Sequence, residues 1–231
     1  MCFDIDDTLV DFTAASRQAL ASMIGRDDMW PIWERVTEEH VAQVVSDRLD
    51  YAFVHRQRTR CFLAELGVDM ADEDAARFER RRAALAQCYW SIYPDVLPCL
   101  EWLRSCGVAM VAVTNASGTH QRKKLDMLGL SRFFSHVVIA GEIGAAKPDP
   151  LIFHSACAAV GCEPDQAVHI GDKLRADAAG AARAGLQAVW LDRHQWRDQE
   201  VPDGVRVIAT LADLPELLMA EHGRTAVPAP R

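Results

Sequence analysis

No apolar run in these 231 residues approaches the ~18 that a membrane-spanning helix needs, and the amino terminus has neither a basic n-region nor an apolar h-region. C-x-x-C pairs are missing as well. The seven cysteines (Cys2, Cys61, Cys88, Cys99, Cys106, Cys157, Cys162) are odd in number and scattered, which disfavours both a disulfide framework and a zinc site and fits reduced thiols. The eight histidines show no H-x-x-x-H or H-E-x-x-H spacing, so none is assigned to a metal. Basic residues are outnumbered, 25 against 33 acidic, giving a net charge of −8 and a pI near 5.5. Broad binding of nucleic acid or of an anionic membrane would need the opposite balance over one face. No repeat or low-complexity segment is present. The expectation is a cytoplasmic protein whose partner is a small molecule, with neither nucleic acid nor membrane as a partner and a homodimer left open.

What the chain does have is a large apolar fraction, 50%, and a regular alternation from Pro94 onward. Helical spacing over 95–106 precedes an apolar strand at 108–113. Helix 120–128 stops at Gly129, strand 136–140 leads to helix 150–160, and strand 166–170 leads to an Ala-rich helix at 174–184. Strand 187–191, a short strand at 205–209 and a helix at 213–221 follow. This beat predicts βαβ units, hence an α/β fold with a Rossmann-like parallel sheet covered by helices on both faces. Residues 11–92 read differently: they are helical throughout, with Trp30, Trp33, Tyr51, Phe53, Phe62, Leu63 and Phe78 among charged residues. The expected organisation is a catalytic core from 1–10 and 93–223, an inserted helical cap at 11–92, and a mobile tail at 224–231.

Four polar clusters each follow an apolar run: Asp4-Ile5-Asp6-Asp7-Thr8, Thr114-Asn115, Lys147-Pro148, and Gly171-Asp172 with Asp177. Carboxyl ends of strands are where open parallel sheets place their ligands. On an extended segment Asp4 and Asp6 share a face, roughly 7 Å apart. One carboxylate can then stay ionised as metal ligand and nucleophile while the other shuttles a proton. Hard carboxylate oxygens suit Mg²⁺, with Asp172 as a further ligand. Thr114, Asn115 and Lys147 offer a hydroxyl, backbone N–H groups and a cation for a phosphoryl group. Alone, the Asp4–Asp6 pair reads equally well as a turn or helix cap, Thr114-Asn115 more readily as a turn and Lys147 more readily as a solvated loop residue; Asp177 could serve only the helix dipole or could orient Lys147 or the metal's waters.

Taken in order, the clusters resemble the four signatures of the haloacid dehalogenase-like (HAD) hydrolase superfamily, phosphatase branch. That resemblance implies a Rossmann-like core with a central first strand and a helical cap inserted after the first motif. It implies Asp4 as nucleophile forming an aspartyl-phosphate, Asp6 as acid then base, and Mg²⁺ held by Asp4, the Asp6 carbonyl and Asp172. Thr114, the Asn115 backbone and Lys147 would hold phosphate oxygens, with Asp177 positioning Lys147 or the metal shell. The expected activity is hydrolysis of a small soluble phosphomonoester; the alternatives are a phosphomutase on the same site and a non-catalytic binding protein on the same fold. The carbon–halogen branch resembles the chain less well, since it lacks an acid at the position of Asp6. Two departures stand out: only three residues precede Asp4, so the central strand is short or the true start lies upstream, and Lys173 follows Asp172 and is read as facing solvent.

Other residues have plainer readings. The basic groups 55–60 and 77–82 read as solvated helix faces offset by Glu65, Asp74 and Glu79. Trp30, Trp33 and Trp90 read as packing residues, His169 as a satisfied core residue, and Arg122-Lys123-Lys124 as charge acting at a distance.

Overall fold

The computed structural model describes residues 1–47, 51–116, 118–193, 195 and 199–225. The chain divides into two compact units, one of residues 1–10 with 92–231 and one of residues 11–91.

The first unit is built on six strands: β1 (Cys2–Phe3), β2 (Val111–Thr114), β3 (His136–Ile139), β4 (Val168–Gly171), β5 (Gln187–Leu191) and β6 (Val205–Ile208). They lie in the order β3-β2-β1-β4-β5-β6, and every neighbouring pair is parallel. Consecutive residues Val111, Ala112 and Val113 are all fully buried. Since successive strand side chains point to opposite faces, both faces of the sheet are covered, which is why these strands read as continuous apolar runs. On one face Cys2, Val113, Val138 and Ala188 pack with Ile152, Phe153 and Ala181 from helices α8 (Pro150–Val160) and α9 (Ala179–Arg183). β1 sits where the strand order reverses, the position at which the crevice of such sheets opens.

Element bounds differ from the sequence reading for local reasons. Helix α5 (Val96–Ser105) ends in a left-handed Gly107 (φ 72°), and the Val108 N–H bonds back to the Leu103 carbonyl at 3.1 Å. Val108 therefore closes a helix, and β2 starts only at Val111. Ala140 opens a short helix, α7 (Ala140–Ile143), instead of ending β3. The helix expected over 174–184 begins as a wide π-turn at Leu174–Ala178 before α9. Pro150 at the first turn of α8 and the Asp149 carboxylate accepting from the Leu151 N–H at 2.9 Å fix that helix start. Helices α6 (Gly118–Met127) and α10 (Leu214–Thr225) complete the unit. Ile92 belongs to this unit, because it bridges Val10 in antiparallel fashion. Of the tail expected at 224–231, residues 226–231 lie outside the described residues. No helix among the described residues is long and apolar enough to cross a membrane.

The second unit holds four helices, α1 (Phe12–Ile24), α2 (Trp30–Asp47), α3 (Tyr51–Glu65) and α4 (Asp72–Tyr89). Its core gathers Leu20, Trp33, Val36, Phe62 and Leu63, with Trp33 and Phe62 edge-to-face at 5.1 Å. Here the sequence reading of the basic groups needs correction. Arg56 and Arg60 do pair near the surface with Asp72, but Arg58 and Arg82 are buried. Their guanidiniums lie 4.3 and 4.9 Å from the Trp33 ring centroid and converge on Glu79, which Thr59 also reaches at 3.1 Å. The indole face and the carboxylate together replace the water these charges lose.

Burial works to raise the Glu79 pKa, but the two guanidiniums overcome it and draw the carboxyl down to about 2; burial also pushes Arg58 down to about 10, since two cations share one anion. Because the folded acid is the stronger one, its stabilisation is complete above pH ~4.5 and is lost as pH falls through about 2. Glu79→Leu should cost ~3–5 kcal/mol by stranding two buried cations and should flatten the acid limb of stability, as read by urea melts between pH 2 and 6.

Candidate active site

The carboxyl ends of β1, β2 and β4 and the loop after α7 carry the residues singled out in the sequence. β1 stops at Phe3, and the Asp4 N–H continues the pairing to the Ile170 carbonyl at 2.9 Å. The chain then turns: Asp7 adopts a left-handed conformation (φ 58°), and its N–H meets the Val10 carbonyl at 2.7 Å. Aspartate tolerates that region better than most residues. Asp4 and Asp6 thus do not share one face of a strand, as their spacing suggested, because the extended segment ends before them. Asp4 faces Lys147, whereas Asp6 faces α6.

Lys147 is the hub. Its Nζ donates to Asp4 Oδ1 at 2.5 Å and to the Val113 carbonyl at 3.0 Å, and lies 2.6 Å from Asp177 Oδ1. All three ammonium protons are therefore engaged. The Asn115 amide fixes the backbone of Lys147 from both sides: its Oδ1 accepts from the Lys147 N–H at 2.7 Å and its Nδ2 donates to the Lys147 carbonyl at 2.9 Å. Thr114, at the end of β2, uses its hydroxyl to accept from the Ala116 N–H at 3.2 Å and from Gln121 Nε2 at 3.1 Å.

Asp177 is aimed by the π-turn. One carboxylate oxygen meets Lys147 and, at 2.9 Å, His169 Nε2, while the other accepts the Lys173 N–H at 3.1 Å. π-turns of this kind recur at functional positions because they redirect one side chain. The space for it exists because residue 171 is glycine: a Cβ there would stand 2.3 Å from Asp177 Cγ. Asp172 comes next. Its N–H donates to Thr8 Oγ1 at 3.1 Å, its carbonyl accepts from Trp190 Nε1 at 2.8 Å, and its carboxylate lies 3.3 Å from the solvent-facing Lys173.

Carboxylate oxygens of Asp4, Asp172 and Asp177 all lie within 4.8 Å of one another. Burial pushes the Asp4 carboxyl well above its usual range and Asp172 up to about 7, with neighbouring carboxylates adding to both. Burial also opposes the charges of Lys147 and Asp177, but each is overcome by the other's field: Lys147 is held above the usual lysine range and Asp177 below the usual carboxylate range. Three carboxylates thus face two ammoniums, the buried Lys147 on Asp4 and Asp177 and the exposed Lys173 on Asp172. Such a pocket has a deficit of positive charge and presents hard oxygen donors, the composition of a site for a divalent cation and an anionic group.

Several participants were not legible in sequence. Thr8, fully buried, sets its hydroxyl 3.4 Å from both Asp4 and Asp172. Lys124 does not act at a distance, as the sequence suggested; its Nζ forms an ion pair with Asp6 Oδ1, beside Gln121, which donates to Asp6 Oδ2 at 2.7 Å. The signal available was spacing: Gln121 and Lys124 flank Leu125 on one helical face, where apolar residues would be expected. His169 is buried, as its reading as a core residue expects, but only Nε2 is satisfied, by Asp177, while Nδ1 has no hydrogen-bond partner.

Comparison with known proteins adds the following. Residues 1–185 match the model of the haloacid dehalogenase-like hydrolase family. The chain is 34% identical over 202 residues to the glyceraldehyde 3-phosphate phosphatase of Methanopyrus kandleri, covering 86% of this chain and 85% of that protein. It is also 34% identical over 205 residues to the phosphoserine phosphatase of Thermus thermophilus, covering 87% and 77% respectively. Among solved structures, YfnB from Bacillus subtilis, whose orthorhombic crystal form has magnesium bound, superposes with a TM-score of 0.82 at 23% identity, over 94% of this chain and 97% of that one. At that identity the likeness speaks for the fold.

Gly171→Ala should force Asp177 off the Lys147 ammonium and cost ~1–3 kcal/mol through overpacking. Thermal melting would check this, and an unchanged midpoint would contradict the close approach described.

Proposed function

The chain belongs to the haloacid dehalogenase-like hydrolases and is a phosphoric monoester hydrolase, and on that premise we propose that it uses Mg²⁺ and Asp4 to hydrolyse a small soluble phosphorylated metabolite. The observation that carries the reading is the contact of one ammonium, Lys147, with the carboxylates of Asp4 and Asp177. It gathers three distant segments around one ammonium nitrogen.

The chemistry follows from what each residue can donate or accept. An oxygen of Asp4 attacks phosphorus in line, the bond to the substrate oxygen breaks, and Asp6, carrying the proton taken from water in the preceding turnover, delivers it to the leaving alkoxide. Asp6, now a carboxylate, takes a proton from water as that water attacks the aspartyl-phosphate at phosphorus, which releases phosphate and restores Asp4. Lys147, the Thr114 hydroxyl and the Asn115 backbone hold the equatorial oxygens, where charge concentrates in the transition state. Asp177 has both oxygens committed to Lys147, His169 and the Lys173 N–H, which leaves it to orient Lys147. The ion would be held by Asp4, the Asp6 carbonyl and Asp172, and the donor set fits it: hard carboxylates whose pKa values are raised by burial and then by one another's charge, both of which a cation offsets. When bound, Mg²⁺ supplies charge neutralisation and alignment of the phosphoryl group.

Both relatives named above have a phosphatase name built on a small phosphomonoester, and we extend that class to this chain. The helical unit, inserted in the chain between Val10 and Ile92, is the segment we assign to choosing among such substrates.

The direct test is a screen of phosphorylated metabolites with Mg²⁺ and detection of inorganic phosphate. Phosphate release from at least one small monoester is expected; phosphate moved only between hydroxyls would favour a mutase, and inactivity over a broad panel would contradict the reading. Asp4→Asn should abolish turnover while leaving the fold intact by circular dichroism, whereas Asp6→Asn should slow it ~10²–10⁴-fold. Mg²⁺ should raise the melting temperature of the wild type, and Asp172→Asn should remove most of that shift; an equal shift in the variant would place the ion elsewhere.

A further inference from the structure

Both oxygens of the Asp6 carboxylate are gripped from one helix. Lys124 Nζ forms an ion pair with Oδ1, while Gln121 Nε2 donates to Oδ2 at 2.7 Å and reaches Thr114 Oγ1 at 3.1 Å. The two residues stand three apart on α6 and are 3% and 1% exposed, whereas the Asp6 side chain keeps 24% of its surface. Packing does not explain them. An ammonium at that depth gives up its hydration, and Gln121 Oε1 is buried with no hydrogen-bond partner, a loss that leucine at this position would avoid. Leu125, beside them and fully buried, is what a purely packing position looks like. Polar groups kept in place against their own desolvation mark a site where stability is traded for function.

We propose that Lys124 and Gln121 are positioning residues that fix the aim of the Asp6 carboxylate at the leaving oxygen, with Gln121 tying that aim to Thr114. The inference rests on the reading of Asp6 as the proton carrier. Each carboxylate oxygen has two lone-pair positions, so one donor on each still leaves a position on each for the substrate oxygen or for water. A carboxylate on a turn could otherwise rotate among several orientations, of which few place a lone pair on the reacting oxygen. Removing that freedom beforehand is the effect that positioning contributes to rate. The bond from Gln121 to Thr114 places the proton carrier and a phosphate-holding hydroxyl on the same amide nitrogen, so displacement of one displaces the other.

Steady-state kinetics on an alkyl phosphate and on p-nitrophenyl phosphate test the proposal, using Asp6→Asn, Lys124→Met, Lys124→Arg, Gln121→Leu and the Asp6→Asn/Lys124→Met double variant. Lys124→Met should lower kcat on the alkyl phosphate ~10-fold or more, part of the full acid–base effect, with KM within about twofold of wild type. The loss in kcat/KM, which excludes hydrolysis of the common aspartyl-phosphate, should shrink on p-nitrophenyl phosphate, whose phenolate departs without a proton. Lys124→Arg should recover part of the rate, and the double variant should be no slower than Asp6→Asn alone. Gln121→Leu should lower kcat several-fold while melting at or above the wild-type temperature; it carries the same comparison should Lys124→Met fail to fold. Additive losses in the double variant, an equal loss of kcat/KM on both substrates, or a raised KM at unchanged kcat would overturn the proposal. A wild-type rate in Asp6→Asn would instead overturn the underlying reading of Asp6, whereas a slow Asp6→Asn beside a normal Lys124→Met sinks the positioning role alone.

Discussion

One ammonium group organises the first unit's functional end. Lys147, buried and bonded to Asp4, Asp177 and the Val113 carbonyl, joins the loop after α7 to the ends of β1 and β2 and to the π-turn after β4. An isolated charge at that depth would lose several kcal/mol of hydration; it is retained because two carboxylates and a carbonyl complete its shell. The same contacts bring Asp4 to the centre of the sheet's carboxyl edge. Asn115 and Gly171 serve that ammonium indirectly, the first by gripping the Lys147 backbone and the second by leaving room for the Asp177 carboxylate.

The two units use buried charge in opposite senses. In the helical unit two cations share one acid, Glu79, and an indole face completes their surroundings. That arrangement is closed: its charges answer one another and specify how α3 and α4 pack. In the first unit three acids face one buried cation, Lys147, and one exposed cation, Lys173, and burial, with the neighbouring carboxylates adding to it, holds Asp4 and Asp172 above the usual carboxylate range. This second arrangement is open, because its balance is restored only by something that binds. An electrostatic deficit in a pocket at the strand-order reversal is the physical content of calling it a site.

Much of this was legible in sequence, and the reasons are local. Strands such as Val111–Thr114 and Gln187–Leu191 announce themselves by apolar runs, and polar residues at their ends mark the edge where they meet; the family resemblance rests on those same positions. What was hidden depended on side-chain direction across the fold. Lys124 looked like one more cation in a basic stretch, because nothing local says that its face of α6 turns toward Asp6. Arg58 and Arg82 looked solvated for the same reason. The π-turn at Leu174–Ala178 reads in sequence as ordinary helix, because the contacts of Asp177 with Lys147 and His169 that accompany it come from distant segments. Val108 reads as a strand residue because apolar character cannot distinguish a strand residue from one that closes a helix.

The account turns on Asp4 becoming bonded to phosphorus, and the stereochemical course at phosphorus tests that most directly. Hydrolysis of a monoester made chiral with oxygen isotopes proceeds through two in-line displacements if Asp4 is the nucleophile, so phosphate should be released with retention of configuration. Inversion would show a single displacement by water and would contradict the role assigned to Asp4.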